Sequence, residues 1–191
     1  MIAVEGDSID GTPNLLKTWA AGDSRLTVIT RNTGLQRFGH EVTPQRFAHL
    51  ASIFNTGLNA VDCLWSDYII FTPSDIIFTP DVLKRLIAQG KRFIAPMYWT
   101  NENGHSRFYD TWGFTRGGVQ FRPLPKAWYK AHFPHAPFEV DTVGGLVLID
   151  ADLVAAGARY GNENVDRGLC QSIKELGATV WADPTTHIYH R

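Results

Sequence analysis

The sequence predicts an α/β/α sandwich with a mostly parallel central sheet. Three observations support this class. Short apolar runs rich in β-branched residues alternate with helical patterns from residue 2 to residue 96, which is the order of βαβ units. Two helical patterns begin with a Thr-Pro pair, at residues 12–13 and 43–44, and this pair favours a helix start. The chain has 191 residues, 44% of them hydrophobic, which is enough for one core in a single domain over residues 1–191.

The elements of residues 1–96 follow in β-α order. The predicted strands cover residues 2–4, 26–30, 68–72 and 93–96, and the predicted helices cover residues 12–21, 43–58 and 80–89. A second short apolar run, at residues 76–78, follows the third strand. Apolar side chains in the second helix recur at helical spacing, from Phe47 to Leu58. Because strands joined by single helices normally run in the same direction, this order predicts a parallel sheet with right-handed crossovers.

The domain is predicted to be organised around the strand at residues 68–72. Its run YIIFT is compact, β-branched and aromatic, which is typical of a strand buried inside a parallel sheet. Asp75 follows where this strand ends. Ligands of open α/β sheets bind outside the carboxyl ends of the strands, so Asp75 is a candidate metal or phosphate ligand. The alternative is a turn aspartate that bonds its own backbone.

Residues 97–137 break the regular pattern. The segment is rich in Gly, Pro, Trp and Tyr, and a long irregular segment in a compact domain is usually functional. Aromatic faces with scattered polar groups suit a sugar or a base, whereas a small satellite core is the alternative. Regularity returns with a predicted strand at 146–149, a helix to residue 156, a helix ended by Gly177, and a last strand at 179–182.

Composition limits the partners and the compartment. The net charge of −1 gives no overall attraction to nucleic acid or anionic membrane. The sequence has neither an apolar run of membrane-spanning length nor a signal-peptide pattern at its start. Cys63 and Cys170 lie in apolar, helix-like contexts, which fits a reducing interior. These features predict a cytoplasmic monomer or small homo-oligomer.

Several segments in one order resemble the GT-A fold nucleotide-sugar glycosyltransferases. They are EGDSIDGT at 5–12, RFAHLASIFNTGL at 46–58, DYIIFTPSDIIFTPDVL at 67–83, VGGLVLIDADL at 143–153 and DRGLCQSIKELGATVWADPTTHIYH at 166–190. The third segment resembles the DxD metal motif. The set is most similar to the Anp1/mannan polymerase-like mannosyltransferases and to related family-2-like enzymes. The resemblance implies a nucleotide-binding half at 1–96 and an acceptor and sugar half at 97–191.

Two departures from the family pattern stand out. Pro73 occupies the position of the first Asp of DxD, which leaves Asp75 alone, and the usual first strand is missing, so the fold is trimmed at its N-terminus. The resemblance implies a divalent metal, Mn²⁺ or Mg²⁺, held by Asp75 and the closing His190, with His187 as the near alternative. Oxygen and imidazole ligands suit Mn²⁺.

The resemblance also assigns the remaining site residues. The nucleotide would be bound by Glu5 and Asp7 in the first loop, and by Arg46, Ser74 and Asp75. The Gly-Gly loop, Gly144 and Gly145, would bind the sugar. Trp99 and Trp112 are candidates for binding the sugar or the acceptor because they lie in the aromatic segment 97–137.

A general base would take the proton of the acceptor hydroxyl. Asp166 at the start of a late helix is the first candidate, and Asp141 and Glu163 are its competitors. Simple helix capping is the alternative role of Asp166. A base at Asp166 implies inversion at the anomeric carbon, whereas the Anp1 likeness implies retention.

The predicted function is transfer of a sugar from a UDP- or GDP-sugar to an acceptor hydroxyl. Pro73 motivates an alternative, a nucleotide-sugar-binding module that has lost catalysis. The acceptor is a glycan or, in a third reading, a hydroxymethylated DNA base of the phage type. Basic and aromatic residues between Lys84 and Lys130 would line a nucleic-acid groove in that reading, and solvated surface charge is the alternative.

Overall fold

The first structural unit is formed by Met1–Asp62 and Arg159–Gly168. The computed structural model describes residues 1–35, 38, 42–102, 104–162 and 164–191. Strand β1 (Ile2–Glu5) pairs in parallel with β2 (Thr27–Thr30), and α1 (Thr12–Gly22) connects them. The predicted βαβ start is therefore confirmed, because both strands and the helix lie within a residue or two of their predicted positions.

Helix α2 (Pro44–Asn59) packs on this strand pair. Its cap is the predicted one, since the Thr43 side chain accepts a hydrogen bond from the Arg46 amide at 3.2 Å. The later segment 159–168 is attached to the same helix by Asn55. Its side-chain amide donates to the carbonyl of Tyr160 at 3.0 Å and its side-chain oxygen accepts from the Tyr160 amide at 2.8 Å.

The second unit consists of Cys63–Ala158 and Leu169–Arg191 and contains a seven-stranded sheet among the described residues. Its strands are β3 (Tyr68–Phe71), β4 (Ile76–Ile77), β5 (Phe93–Glu102), β6 (His105–Phe108), β9 (Phe138–Glu139), β10 (Val147–Asp150) and β11 (Trp181–His190). The order along the sheet is β3-β10-β5-β11-β4, with β6 paired to β5 and β9 to β11. A separate hairpin joins β7 (Thr115–Arg116) to β8 (Val119–Gln120).

The direction of the strands departs from the prediction of a mostly parallel sheet. In this sheet β5 and β11 pair in parallel, whereas β10 is antiparallel to both β3 and β5, and β4 and β9 are antiparallel to β11. Strand β3 lies at one end of the order and is not central, and Tyr68 is exposed. The prediction failed because β10, from late in the chain, separates β3 from β5. These two strands still run in the same direction, as the helix between them predicted.

Four helices alternate with the strands of this unit along the sequence. They are α3 (Asp81–Ala88), α4 (Lys126–His132), α5 (Ala151–Ala155) and α6 (Val165–Glu175), whose first residues belong to the first unit. Asp150 caps α5 as predicted, by accepting from the Asp152 amide at 3.0 Å. Among the described residues, no helix combines the length and the hydrophobicity that crossing a bilayer requires.

The segment 97–137 is more regular than predicted. Strand β5 continues to Glu102, and β6, β7, β8 and α4 follow it. Its aromatic side chains form a cluster in which Phe108 contacts the rings of Trp99, Phe114, Phe121 and Tyr129 at centroid distances of 5.2–5.8 Å. Much of the segment thus forms a small satellite core, which was the alternative prediction for it.

Candidate functional site

The candidate site lies where β4 pairs with the end of β11. Ile76 is the register partner of His190, and the Arg191 amide donates to the Asp75 carbonyl at 3.0 Å. This pairing places Asp75 Oδ2 3.2 Å from His190 Nε2. The Asp75 side chain is 56% exposed and that of His190 is 21% exposed. The structure therefore brings together the two residues that the sequence named as metal ligands, with the carboxylate open to solvent.

Tyr109 stacks on His190. The two ring centroids are 3.7 Å apart and the rings are inclined by 13°, so the stack fixes the plane of the imidazole. Burial raises the pKa of the Tyr109 phenol, and the nearby charge of Asp75 adds to this effect. The phenol is therefore neutral at physiological pH and offers a hydroxyl beside the Asp75–His190 pair.

Asp110 is a buried carboxyl next to this stack. It accepts hydrogen bonds from the Tyr98 hydroxyl at 2.7 Å and from the amides of Gly113 at 2.7 Å and Trp112 at 3.2 Å. Burial raises the pKa of Asp110, and the three hydrogen bonds oppose this effect. The contacts hold the turn that presents Trp112, whose side chain is 58% exposed as a sugar-stacking residue requires.

The Gly144–Gly145 pair packs against the same network. Gly145 has φ +70°, and a Cβ atom there would overlap the Tyr98 hydroxyl. Gly113 approaches Gly144 closely, since a Cβ on Gly113 would lie 2.9 Å from the Gly144 Cα. Gly145 thus has a steric reason that is independent of any ligand, and the contact of Gly144 and Gly145 with a sugar stays a prediction.

Trp99 does not suit the sugar-stacking role predicted for it. Its side chain is 1% exposed, and its ring lies against Phe108, Tyr129 and His187 at centroid distances of 5.7–5.9 Å. The prediction fails because β5 is longer than the predicted strand at 93–96 and places residue 99 in the aromatic core. Trp112 is the exposed tryptophan of the two.

The environment of His187 differs from that of His190. Its Nδ1 accepts a hydrogen bond from Trp99 Nε1 at 3.3 Å. Burial lowers the pKa of His187 to about 4, and the charge of Lys126 contributes. Because one ring nitrogen is already used inside the core, His190 is the better placed of the two candidate ligands.

In the first unit, both predicted nucleotide-binding carboxylates accept hydrogen bonds from loop residues, Glu5 within its own loop and Asp7 from the segment after β2. Glu5 is buried, and its Oε1 accepts from the Ser8 amide at 2.9 Å. Asp7 accepts from the Thr33 hydroxyl at 2.6 Å, the Thr33 amide at 2.8 Å and the Gly34 amide at 3.0 Å. The Thr33 hydroxyl, followed by these amides, lowers the pKa of Asp7. Binding of a nucleotide by either residue stays a prediction.

Arg46 and Ser74 lie at positions that remain accessible. Arg46 is half-buried in the first turn of α2. Ser74 is exposed in the turn between β3 and β4, directly before Asp75. Ser74 therefore belongs to the neighbourhood of the Asp75–His190 pair, as predicted.

The three candidates for the general base differ in their local bonding. Asn164, and not Asp166, caps α6, because its Oδ1 accepts from the Arg167 amide at 3.0 Å. Asp166 is half-buried in the first turn of this helix. Asp141 accepts from the Gly118 amide at 2.7 Å and so holds the turn of the β7–β8 hairpin. Glu163 lies outside the described residues.

Tyr98, Tyr109 and Asp110 were not identified as site residues from the sequence. A signal was present in the sequence FYDTWG, where an aspartate stands alone among aromatic residues and before a glycine. Nothing in this local pattern indicates that β6 lies beside β5, and it is this pairing that brings Tyr109 close to the end of β11.

Comparison with solved structures identifies the fold. The chain is similar over 99% of its length to a crystal structure of GalNAc-T7 with UDP, GalNAc and Mn²⁺, at a TM-score of 0.62 and 12% identity, and it covers 37% of that chain. A mycobacterial protein is similar over 100% of the chain, with a TM-score of 0.53 and 18% identity, and 56% of that protein is covered. The predicted GT-A-like α/β fold is confirmed.

The family follows from the sequence. A model of the N-terminal domain of glycosyltransferase family 25 matches residues 10–153, which is more than half of the chain. The chain belongs to this family. Procollagen galactosyltransferase 2 of Homo sapiens is 29% identical and procollagen galactosyltransferase 1-A of Xenopus laevis is 28% identical, each over 104 residues. The matched region covers 50% of this chain and 17% of each relative.

Proposed function

We propose that the protein transfers a hexose from a UDP-sugar to an acceptor hydroxyl. The observation that carries this proposal is the Asp75–His190 pair, with 3.2 Å between Oδ2 and Nε2, at the carboxyl end of β11, where α/β folds bind ligands. Family membership supports the reaction class, and the names of the relatives suggest galactose as the first donor sugar to test. The similarity to the Anp1-like mannosyltransferases makes GDP-mannose the second.

A divalent metal fits this pair. One carboxylate oxygen and one imidazole nitrogen are ligands that Mn²⁺ accepts. Among the described residues, no group of three or more His, Cys, Asp and Glu side chains could hold a metal, so the protein would supply two ligands. This matches the habit of Mg²⁺ and Mn²⁺ sites that bind one or two carboxylates and take the rest from phosphates and water. When bound, such an ion neutralises the charge that develops on the diphosphate.

The chain's own residues have separate parts in the proposed reaction. The acceptor oxygen forms a bond to the anomeric carbon, and the bond from that carbon to the β-phosphate oxygen breaks. The acceptor proton is proposed to pass to Asp166, a carboxylate in the first turn of α6. Trp112 is proposed to stack on the acceptor through its exposed ring.

The first experiment measures binding of UDP and of GDP by isothermal titration calorimetry, with and without Mn²⁺. UDP is expected to bind tightly with Mn²⁺ present and weakly without it, and Asp75→Asn should remove this difference. Incubation with UDP-galactose, UDP-GalNAc or GDP-mannose, followed by chromatography of the released nucleotide, then tests turnover.

Each other outcome has a defined meaning. Metal-dependent binding of UDP without release from any donor would identify the alternative that Pro73 suggests, a binding module that has lost catalysis. Failure to bind either nucleoside diphosphate at millimolar concentration would contradict the proposal. Release from UDP-galactose that is insensitive to Asp75→Asn would separate the reaction from the Asp75–His190 pair.

A further inference from the structure

A cleft of about 370 Å³ opens between the β5–β6 hairpin and the start of α4. His105, Ser106 and Arg107 line it from β6, and Pro125 and Lys126 line it from the other side. The two sides are joined by a bridge between Arg107 and Pro125. The volume lies in the usual range of small-ligand sites, about 300–1,000 Å³, and suits one monosaccharide with a substituent.

The cleft is rich in positive charge. Arg107 and Lys126 carry full charges and His105 adds an imidazole, whereas none of the lining residues is acidic. The described side chains include no ion pair to Arg107 or Lys126. The Lys126 ammonium is instead held over aromatic rings, with its Nζ 5.3 Å from the centroid of Trp99 and 5.7 Å from that of Tyr189.

A hydroxyl group in the lining also lacks a partner. The Oγ of Ser106 is buried and makes no hydrogen bond within the described part of the chain. Buried polar atoms are nearly always paired with protein, water or a ligand. Because successive side chains of β6 point to opposite faces, the buried Ser106 hydroxyl does not share the face of Arg107. The groups of the cleft that can donate to an anion are therefore the cations Arg107 and Lys126.

We propose that this cleft binds a phosphate, sulfate or carboxylate group carried by a sugar of the acceptor. The inference rests on the proposed function, because it assigns this anion to the acceptor and not to the donor. Tyr189, which contacts Lys126, precedes His190 in β11, and successive side chains of a strand point to opposite faces. The cleft therefore lies at the same strand end as the Asp75–His190 pair but on the opposite face of β11.

The test uses the full chain and follows its backbone amide signals by NMR as a ligand is added. Glucose 6-phosphate and glucuronate are expected to shift the signals of residues 104–107 and 125–127, while glucose leaves them unchanged. Lys126→Gln and Arg107→Gln should each weaken glucose 6-phosphate binding about tenfold, the scale of one charge-assisted hydrogen bond. Lys174→Gln, an exposed lysine on α6, is the matched control and should bind as the unaltered protein does.

Five results would overturn the proposal. Shifts that map elsewhere, or Lys126→Gln and Arg107→Gln variants that both bind normally, would remove the cleft from the interaction. Displacement by saturating UDP and Mn²⁺ would assign it to the donor phosphates. Inorganic phosphate binding as tightly as glucose 6-phosphate would make it a site for free anions. A single-stranded oligonucleotide producing the same shifts at tenfold lower concentration would identify a nucleic-acid surface.

The two proposals fail in different ways. Binding of glucose 6-phosphate needs neither donor nor turnover, so these shifts would remain if no UDP-sugar were consumed, and the transferase proposal alone would then be wrong. Conversely, turnover of UDP-galactose without any shift in the cleft would leave the transferase proposal standing and refute the anion site.

Discussion

Replacing Gly145 with alanine tests why two glycines precede β10. Gly145 has φ +70°, and an added Cβ would overlap the hydroxyl of Tyr98 and lie 2.6 Å from its Cζ. Tyr98 is 3% exposed and donates to the buried Asp110 at 2.7 Å. Since Tyr98 is enclosed by Phe108, Tyr109 and Phe114, the ring can move away only by giving up that hydrogen bond.

The expected cost has two parts. An alanine in the left-handed region costs about 1–2 kcal/mol in backbone strain. Loss of a hydrogen bond to a buried carboxyl adds about 1.5–3 kcal/mol. The free energy of unfolding of Gly145→Ala should therefore fall by about 2.5–5 kcal/mol, a large share of the total for an ordinary domain.

Gly177→Ala is the matched control for this variant. Gly177 has φ +76°, but a Cβ there would meet nothing within 4 Å, so its loss should be the backbone part alone. Urea unfolding followed by circular dichroism gives both values. If Gly145→Ala costs no more than Gly177→Ala, the close approach of Tyr98 is not the reason for the glycine.

Three further predictions concern the candidate site. Asp166→Asn should fold normally, because another residue caps α6, and should lose about 10²-fold or more in kcat; near-full kcat in the transfer assay would reject it as the base. Asp75→Asn should change the free energy of unfolding by less than about 1 kcal/mol, because the Asp75 side chain is exposed. The same variant should weaken Mn²⁺ binding in calorimetry at least tenfold, whereas the control Asp81→Asn on α3 should bind Mn²⁺ as the unaltered protein does. Trp112→Ala should raise the KM of the acceptor without changing donor hydrolysis, while Trp99→Ala should destabilise the fold by about 3–5 kcal/mol in urea unfolding.

The local elements could be predicted from the sequence, but their neighbours in the sheet could not. Thr43 and Asp150 lie at predicted helix starts, and both accept the expected capping hydrogen bonds. The apolar run at β3 predicts a strand in the middle of a parallel sheet, because such runs are typical of strands buried on both faces. The run itself does not indicate which strands lie beside it or in which direction they run. The paired residues of its partner β10 lie 76–82 positions later in the sequence, and no local pattern indicates a pairing of that range.

The same limit applies to the candidate site. Asp75 and His190 could be predicted from the sequence because a strand-end carboxylate and a closing histidine are features of a known family pattern. Tyr109 and Asp110 were missed because their importance comes from the β5–β6 pairing and from a stack formed with the last strand. The sugar-binding role predicted for Trp99 is wrong because the local sequence does not distinguish two roles. An aromatic residue in a Trp- and Tyr-rich segment can pack in a core or stack on a sugar, and Trp99 is buried.

Strand β11 shows how one element serves both the core and the proposed site. Its register against β5 shifts between Asp183 and His187. After this shift, His187 contacts Trp99 in the core, whereas His190 lies beside Asp75 and beneath the ring of Tyr109. The two histidines are three positions apart, an odd number, so alternation along a strand points them to opposite faces. The pairing of β4 with the last two residues of β11 then fixes the distance from His190 to Asp75. A strand that ended at residue 182, as the sequence predicted, would leave His190 on an unpaired tail. The extension of β11 therefore positions His190 beside Asp75, as the proposed metal site requires.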